Sequence, residues 1–206
     1  NVGASAPPLD QWLGDLLDTL GPYTAALEGG ELVMSGYATK YTPACNWKVL
    51  VENFCEYYHL PAVHPSLCTV SGVDEHCRAQ GRGMYMCFAT KPLTRGGSAI
   101  DPGQLPPFEG LGAPHTDTAY HVCIFPNTFF SVYPDHFFRV IVAPDGAAAS
   151  TETATLMTHR AALEQPGAEA VVAEMFDFWD GVNREDIAIC EAVQAGTANT
   201  AYDGGR

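Results

Sequence analysis

The sequence predicts an α+β domain in which one antiparallel sheet carries a long C-terminal helix on one face. Three observations lead there. Between residues 82 and 162 the chain runs through consecutive β-forming segments. Short turn-rich links join them, including a hairpin signal at Asp145-Gly146, so neighbouring strands run antiparallel. From Gly167 to about Gln194 apolar residues recur at helical spacing, and a helix of that length needs a sheet face to cover.

The elements follow in order. "LDQWLGDLLDTLGPY" places Leu9, Trp12, Leu16, Leu17 and Leu20 at the spacing of a short entry helix. "LVMSGYATKYTPA" (32–44) alternates and reads as a strand. A helix is predicted from about Trp47 to Tyr58, with Trp47, Leu50, Val51, Phe54 and Tyr58 as its apolar stripe, and Pro61 and Pro65 break it. "RGMYMCFATKP" (82–92) reads as a strand. Residues 93 to 119 are rich in Gly and Pro and are expected to form a long loop, a candidate lid or substrate loop. Two short strands, divided near Pro126-Asn127, fill 119–134. Strands at 136–144 and 150–162 flank the Asp145-Gly146 turn. The terminal helix has a possible interruption at Gly181.

Composition narrows the function. The 206 residues suit one sizeable domain or two small ones. A formal net charge of -14, without any Lys/Arg cluster, disfavours a nucleic-acid partner. No apolar run is long enough to span a bilayer, and no signal-peptide pattern opens the chain. The chain begins with Asn1, which suggests a piece of something longer. Seven cysteines lie at 45, 55, 68, 77, 87, 123 and 190, with no pair in a metal-binding spacing. Buried free thiols in a reducing compartment are the expectation.

Two oddities carry chemistry. The first is "NWKVLVENFCEYYHLPAVHP" (46–65), in which Glu56 precedes His59 by three residues and His64 follows five later. At about 100° per residue, Glu56 and His59 share a side of the helix away from the apolar stripe. Beyond Pro61 the chain can curl His64 back towards His59. The second lies in the terminal helix, where Val171, Met175, Phe178, Val182, Ile189 and Val193 set the predicted stripe. Their one skipped position is Asp186. A buried carboxylate needs a cationic partner, a raised pKa or a metal ion. The chain has only ten Lys+Arg, none an evident buried partner. Two imidazoles and one carboxylate would make a facial triad suited to non-haem Fe(II); zinc with a water is chemically possible too.

At these residues the chain resembles the Rieske-type non-haem iron oxygenases, the ring-hydroxylating oxygenase large subunits. "NWKVLVENFCEYYHLPAVHP" is similar to their iron-binding segment. "FWDGVNREDIAICEAVQAG" (178–196) is similar to the second one, with Glu185-Asp186 as the acidic pair, followed by Glu191 and Gln194. The resemblance implies a helix-grip catalytic domain over residues 1–206, with His59, His64 and Asp186 as ligands of a mononuclear Fe(II). It implies that Glu56 links the iron to the [2Fe-2S] cluster of a neighbouring subunit. Glu at that position, and the "YHLPAVHP" run, are closer to the choline, glycine betaine and carnitine branch. The cluster's Cys-x-His and Cys-x-x-His pairs are absent from this sequence, so the cluster is expected in an upstream domain outside it. The implied partners are a small-molecule substrate, O2, an electron-transfer reductase and further copies in a homo-oligomer, a trimer. The expected compartment is the cytoplasm, or the plastid stroma for a photosynthetic eukaryote. The alternatives are an aromatic-ring dioxygenase and a metal-free helix-grip binding module. A quaternary ammonium would call for an aromatic cage. Candidates are Tyr85, Phe88, Tyr120, Phe125, Phe129, Phe130, Tyr133, Phe137 and Phe138, each otherwise ordinary strand packing.

Overall fold

The computed structural model describes residues 6–28, 32–69, 72–91 and 105–202. Three short helices come first: α1 (Leu9–Leu13), α2 (Leu16–Thr19) and α3 (Gly21–Glu28). They replace the single predicted entry helix. Leu16 is buried among them, whereas Leu9 and Leu17 are exposed. Strand β1 (Leu32–Tyr41) leads to α4 (Trp47–Phe54) and the one-turn α5 (Leu60–Val63). Then come β2 (His76–Arg78), β3 (Tyr85–Thr90), β4 (Ala119–Ile124), β5 (Thr128–Val132), β6 (His136–Pro144) and β7 (Ser150–His159). A short α6 (Arg160–Leu163) and the 30-residue α7 (Ala168–Thr197) finish the described chain.

The strands form one antiparallel sheet in the order β1-β7-β6-β5-β4-β3-β2. From β2 to β7 each strand pairs with its successor, and β1 closes onto β7. The pairing of β1 slips between Met34 and Ala38, where Gly36 takes a φ of 93° that a side chain would resist. This is the helix-grip layering that the sequence implied. One face of the sheet packs against α4 and α7 through Leu50, Phe129, Phe138, Leu156, Met175 and Trp179. The other face packs Tyr85, Tyr120, Val122 and Phe137 against Leu16 and Tyr23. No described helix is long and apolar enough to cross a membrane.

Several predicted details are corrected. Helix α4 stops at Phe54 rather than Tyr58: the Glu56 carboxylate takes the Tyr58 and His59 N–H groups that a continuing helix would use. Pro61 starts a new turn instead of breaking the old one: it lies in the first turn of α5, where a missing N–H costs little. Helix α7 runs through Gly181 without interruption. Its buried side is set by Val172, Met175, Phe176, Trp179, Val182, Asn183 and Cys190. Ile189 and Val193, assigned to the buried stripe by their hydrophobicity, are exposed. Strand β2 is a further addition. The predicted loop lies partly outside the described residues; its described part buries Leu105 and Phe108 and makes a 3₁₀ turn at His115–Asp117. All seven cysteines are free, and Cys45, Cys87, Cys123 and Cys190 are buried.

Candidate metal centre

The two sequence segments are brought together by α4 and α7, which pack side by side. Two long-range bonds fasten them: the Glu191 and Gln194 side chains accept from the Ala44 and Asn46 N–H groups, each at 2.8 Å. Asn46 in turn caps α4 by accepting from the Lys48 N–H. Helix α4 is thus pinned before the chain reaches the histidines.

Beyond α4 the chain makes a tight turn, and Glu56 organises it. Its Oε2 accepts from the Tyr58 N–H at 2.6 Å and the His59 N–H at 3.3 Å, while Oε1 lies 2.5 Å from His59 Nδ1. Glu56 therefore sits off the helix, not on its face. His59 is the last residue before α5 and His64 the first after it, so the one-turn helix sets their separation. Their ring centroids are 5.2 Å apart.

Asp186 reaches this pair from α7. Its Oδ1 lies 2.8 Å from His64 Nε2 and 3.5 Å from His59 Nε2. The three groups offer ligand atoms within 4.8 Å of one another. The outer nitrogen of His64 is held as well, with Nδ1 2.8 Å from Glu185 Oε2, and Asn53 Nδ2 donates to Asp186 Oδ1 at 2.6 Å. A carboxylate on each Nδ1 fixes the tautomer that turns Nε2 towards a shared centre, which is how metal-binding histidines are oriented. Two imidazoles and a carboxylate, with no fourth His, Cys, Asp or Glu in the group among the described residues, fit a divalent metal that keeps open positions.

The charges agree with this donor set. Burial pulls both histidines down, but the bonds and charge of Asp186, with those of Glu56 or Glu185, outweigh it and leave both pKa values raised. Burial pushes Asp186 up, yet the two imidazoles and Asn53 leave it lowered. The anion that the sequence left unpartnered is thus stabilised by histidines and an amide, not by Arg or Lys.

A cavity of about 70 Å³ adjoins these residues. Of the aromatic candidates, Phe88, Phe129 and Phe138 line it; Tyr85, Tyr120 and Phe137 pack on the opposite sheet face, and Phe125 is exposed. Tyr133 belongs to the core beside Trp179, and Phe130 packs against the opposite-face core. Phe54 and Trp179 are lining residues that the sequence did not single out. Phe54 stacks on Phe129 at 4.5 Å, and Trp179 stacks on Phe138 at 5.3 Å. The indole N–H of Trp179 donates to His136 Nε2, whose Nδ1–H donates to Asp135, so the ring is locked.

Sequence comparison now places the chain. Residues 31–206 match the family model described as ring hydroxylating alpha subunit (catalytic domain). The chain belongs to this family. Among its relatives is the choline monooxygenase, chloroplastic, of Arabidopsis thaliana, 26% identical over 95% of this chain and 42% of that protein. Another is the carnitine monooxygenase oxygenase subunit of Acinetobacter pittii, 22% identical over 99% of this chain and 51% of that protein. The chain thus spans about half the length of the curated relatives it matches. Among solved structures, a quaternary ammonium Rieske monooxygenase in complex with an inhibitor superposes with a TM-score of 0.77 at 18% identity, over 99% of this chain and 50% of that one. Naphthalene 1,2-dioxygenase from Rhodococcus sp. gives 0.67 at 16% identity, over 96% and 52%. These structures share the helix-grip fold.

The cavity also holds a carboxylate that sequence reasoning missed. Glu152 on β7 is 2% exposed, and its Oε2 accepts from Asn183 Nδ2 at 2.9 Å. Burial pushes its pKa from 4.5 to about 7, against the Asn183 bond and with help from the Asp186 charge. Because the folded-state value is raised, the stability this group contributes is fully present below its unfolded pKa and is lost as pH rises through 7. Glu152→Gln is therefore expected to stabilise the metal-free protein by about 2–3 kcal/mol near pH 8. Little gain is expected below about pH 5. Denaturant unfolding at the two pH values checks this; an equal effect at both would contradict it.

Proposed function

We propose that residues 1–206 form the iron-binding catalytic domain of an O2-dependent monooxygenase of a small quaternary ammonium compound, of choline, betaine or carnitine type. The observation that carries the reading is the inward-facing Nε2 atoms of His59 and His64 with Asp186 between them, each Nδ1 held by a carboxylate, beside an aromatic cavity. His59, His64 and Asp186 are the proposed ligands of a mononuclear Fe(II). Reductive activation of O2 is the chemistry that the bound iron supplies.

The chain's own residues do the rest. Glu56 and Glu185 aim the imidazoles, and Asn53 steadies Asp186. Phe54, Phe129, Phe138 and Trp179 exclude water and offer π faces to an alkylated ammonium. Glu56, part-exposed at the edge of the site, is the proposed link to a [2Fe-2S] cluster carried by a neighbouring subunit. A related solved structure is described by its inter-subunit electron transfer, which supports that role and an oligomer; a homotrimer is the proposed form. The cluster would lie in a domain outside this chain, and a reductase would supply electrons. The proposed compartment is the cytoplasm or a plastid stroma; the chloroplastic relative supports the second.

An aromatic ring would fit the apolar part of the lining, but it leaves Glu152 with only its neutral Asn183 bond. The test is turnover by the complete protein with its reductase and O2, offered choline, betaine, carnitine or naphthalene. Oxygen consumption matched by oxidised ammonium product is expected. Oxidation of naphthalene alone would contradict the reading.

A further inference from the structure

Glu152 is an unusual group to find in this cavity. It is almost wholly buried, and among the described residues its donor is the neutral amide of Asn183. No donor among the described residues reaches its Oε1, and the residue forms part of the cavity wall. A carboxylate taken out of water with one neutral bond lacks most of its former solvation. The structure around it supplies no cation. Among the described lining residues there is no Lys or Arg, and the other acids are Glu56 and Asp186.

Two further histidines of the wall, His121 and His76, are disfavoured as cations. His121 is pulled down to about 3 by burial and by the neighbouring His76, and burial lowers His76 too. His121 stacks on Phe88 and bonds Ser131, so it belongs to the packed wall. His59 and His64 are committed to Asp186. The described cavity thus offers a carboxylate that a bound cation would ionise, together with π faces, and no Lys or Arg for a substrate's anionic group.

We infer that Glu152, held by Asn183, anchors the cationic head of the substrate, and that the substrate is a simple cation of the amino-alcohol type rather than an inner salt such as carnitine or betaine. This rests on the quaternary-ammonium reading above and narrows it. A bound ammonium would restore to Glu152 the partner it lacks. A substrate carboxylate would instead enter a cavity that already holds three acidic side chains.

Calorimetric binding to the complete, iron-loaded protein without O2 tests this apart from turnover. Three probes suffice: choline, its neutral isostere with a quaternary carbon in place of nitrogen, and carnitine. Choline is expected to bind about 30-fold or more tightly than either of the others, and Glu152→Gln should weaken choline by a similar factor while leaving the isostere unchanged. Iron content, measured alongside, should not change. If Glu152→Gln keeps full choline affinity, or if carnitine binds as well as choline to the unmutated protein, the inference is overturned while the ammonium reading stands. If neither choline nor carnitine binds while the neutral isostere does, both fail. The comparison of the three probes on the unmutated protein decides the matter even where the variant folds poorly.

Discussion

Replacing His64 by alanine is expected to abolish iron binding while the domain stays folded. The ring is 1% exposed and bridges Glu185 and Asp186, both on α7, so its removal costs two bonds and leaves a small void. Loss of one such buried polar group amounts to about 2–3 kcal/mol, less than the stability of an ordinary domain. On the proposed assignment a metal would lose one of its three protein ligands. Iron per chain after anaerobic reconstitution measures the first effect, and far-UV circular dichroism with a melting curve measures the second. Full iron content in a folded variant would contradict the assignment. His59→Ala, at a more exposed ring, gives the same readout with a smaller packing loss.

Glu56→Gln should separate iron binding from electron delivery. The amide oxygen can still accept from the turn N–H groups, so the loop around His59 should persist. The carboxylate charge on His59 Nδ1 is lost. In the complete enzyme we expect iron and substrate to remain bound under saturating conditions. Oxidation of a pre-reduced cluster in a single turnover should slow by about 10- to 100-fold. A residue that only shaped the turn would leave that rate alone, so an unchanged rate would remove the linking role.

Much of the fold was legible because its cues are local. Asp145-Gly146 marks the β6–β7 hairpin, and Pro126-Asn127 the β4–β5 turn. The faces of the strands were not legible. Both sides of the sheet are covered, so β4 is buried continuously from Ala119 to Cys123 and shows no alternation. The stripe of α7 misled for a related reason. Its second half turns Asn183 and Asp186 inwards for the site and leaves Ile189 and Val193 outside, so hydrophobicity pointed to the wrong side. Asp186 was still found, because a carboxylate at a skipped position is unusual on either count.

The candidate ligands and Glu56 were legible from their motifs, but the bonds that orient the ligands were not. Asn53 reaches Asp186 across 133 residues, and Glu185 reaches His64 across 121. Glu152 and Asn183 meet only once β7 and α7 pack, and nothing in either local sequence marks them. The end of α4 was misplaced because no Gly or Pro signals it. Glu56 closes the following turn through bonds to two N–H groups that a helical wheel cannot show.

The most direct test is to locate the metal. Crystals grown without air and loaded with Fe(II) should give one anomalous peak per chain at the iron edge, bounded by His59 Nε2, His64 Nε2 and an Asp186 carboxylate oxygen. Glu56 and Glu185 should stay on the Nδ1 atoms. A protein that takes up no iron, or holds it away from these three residues, would contradict the account.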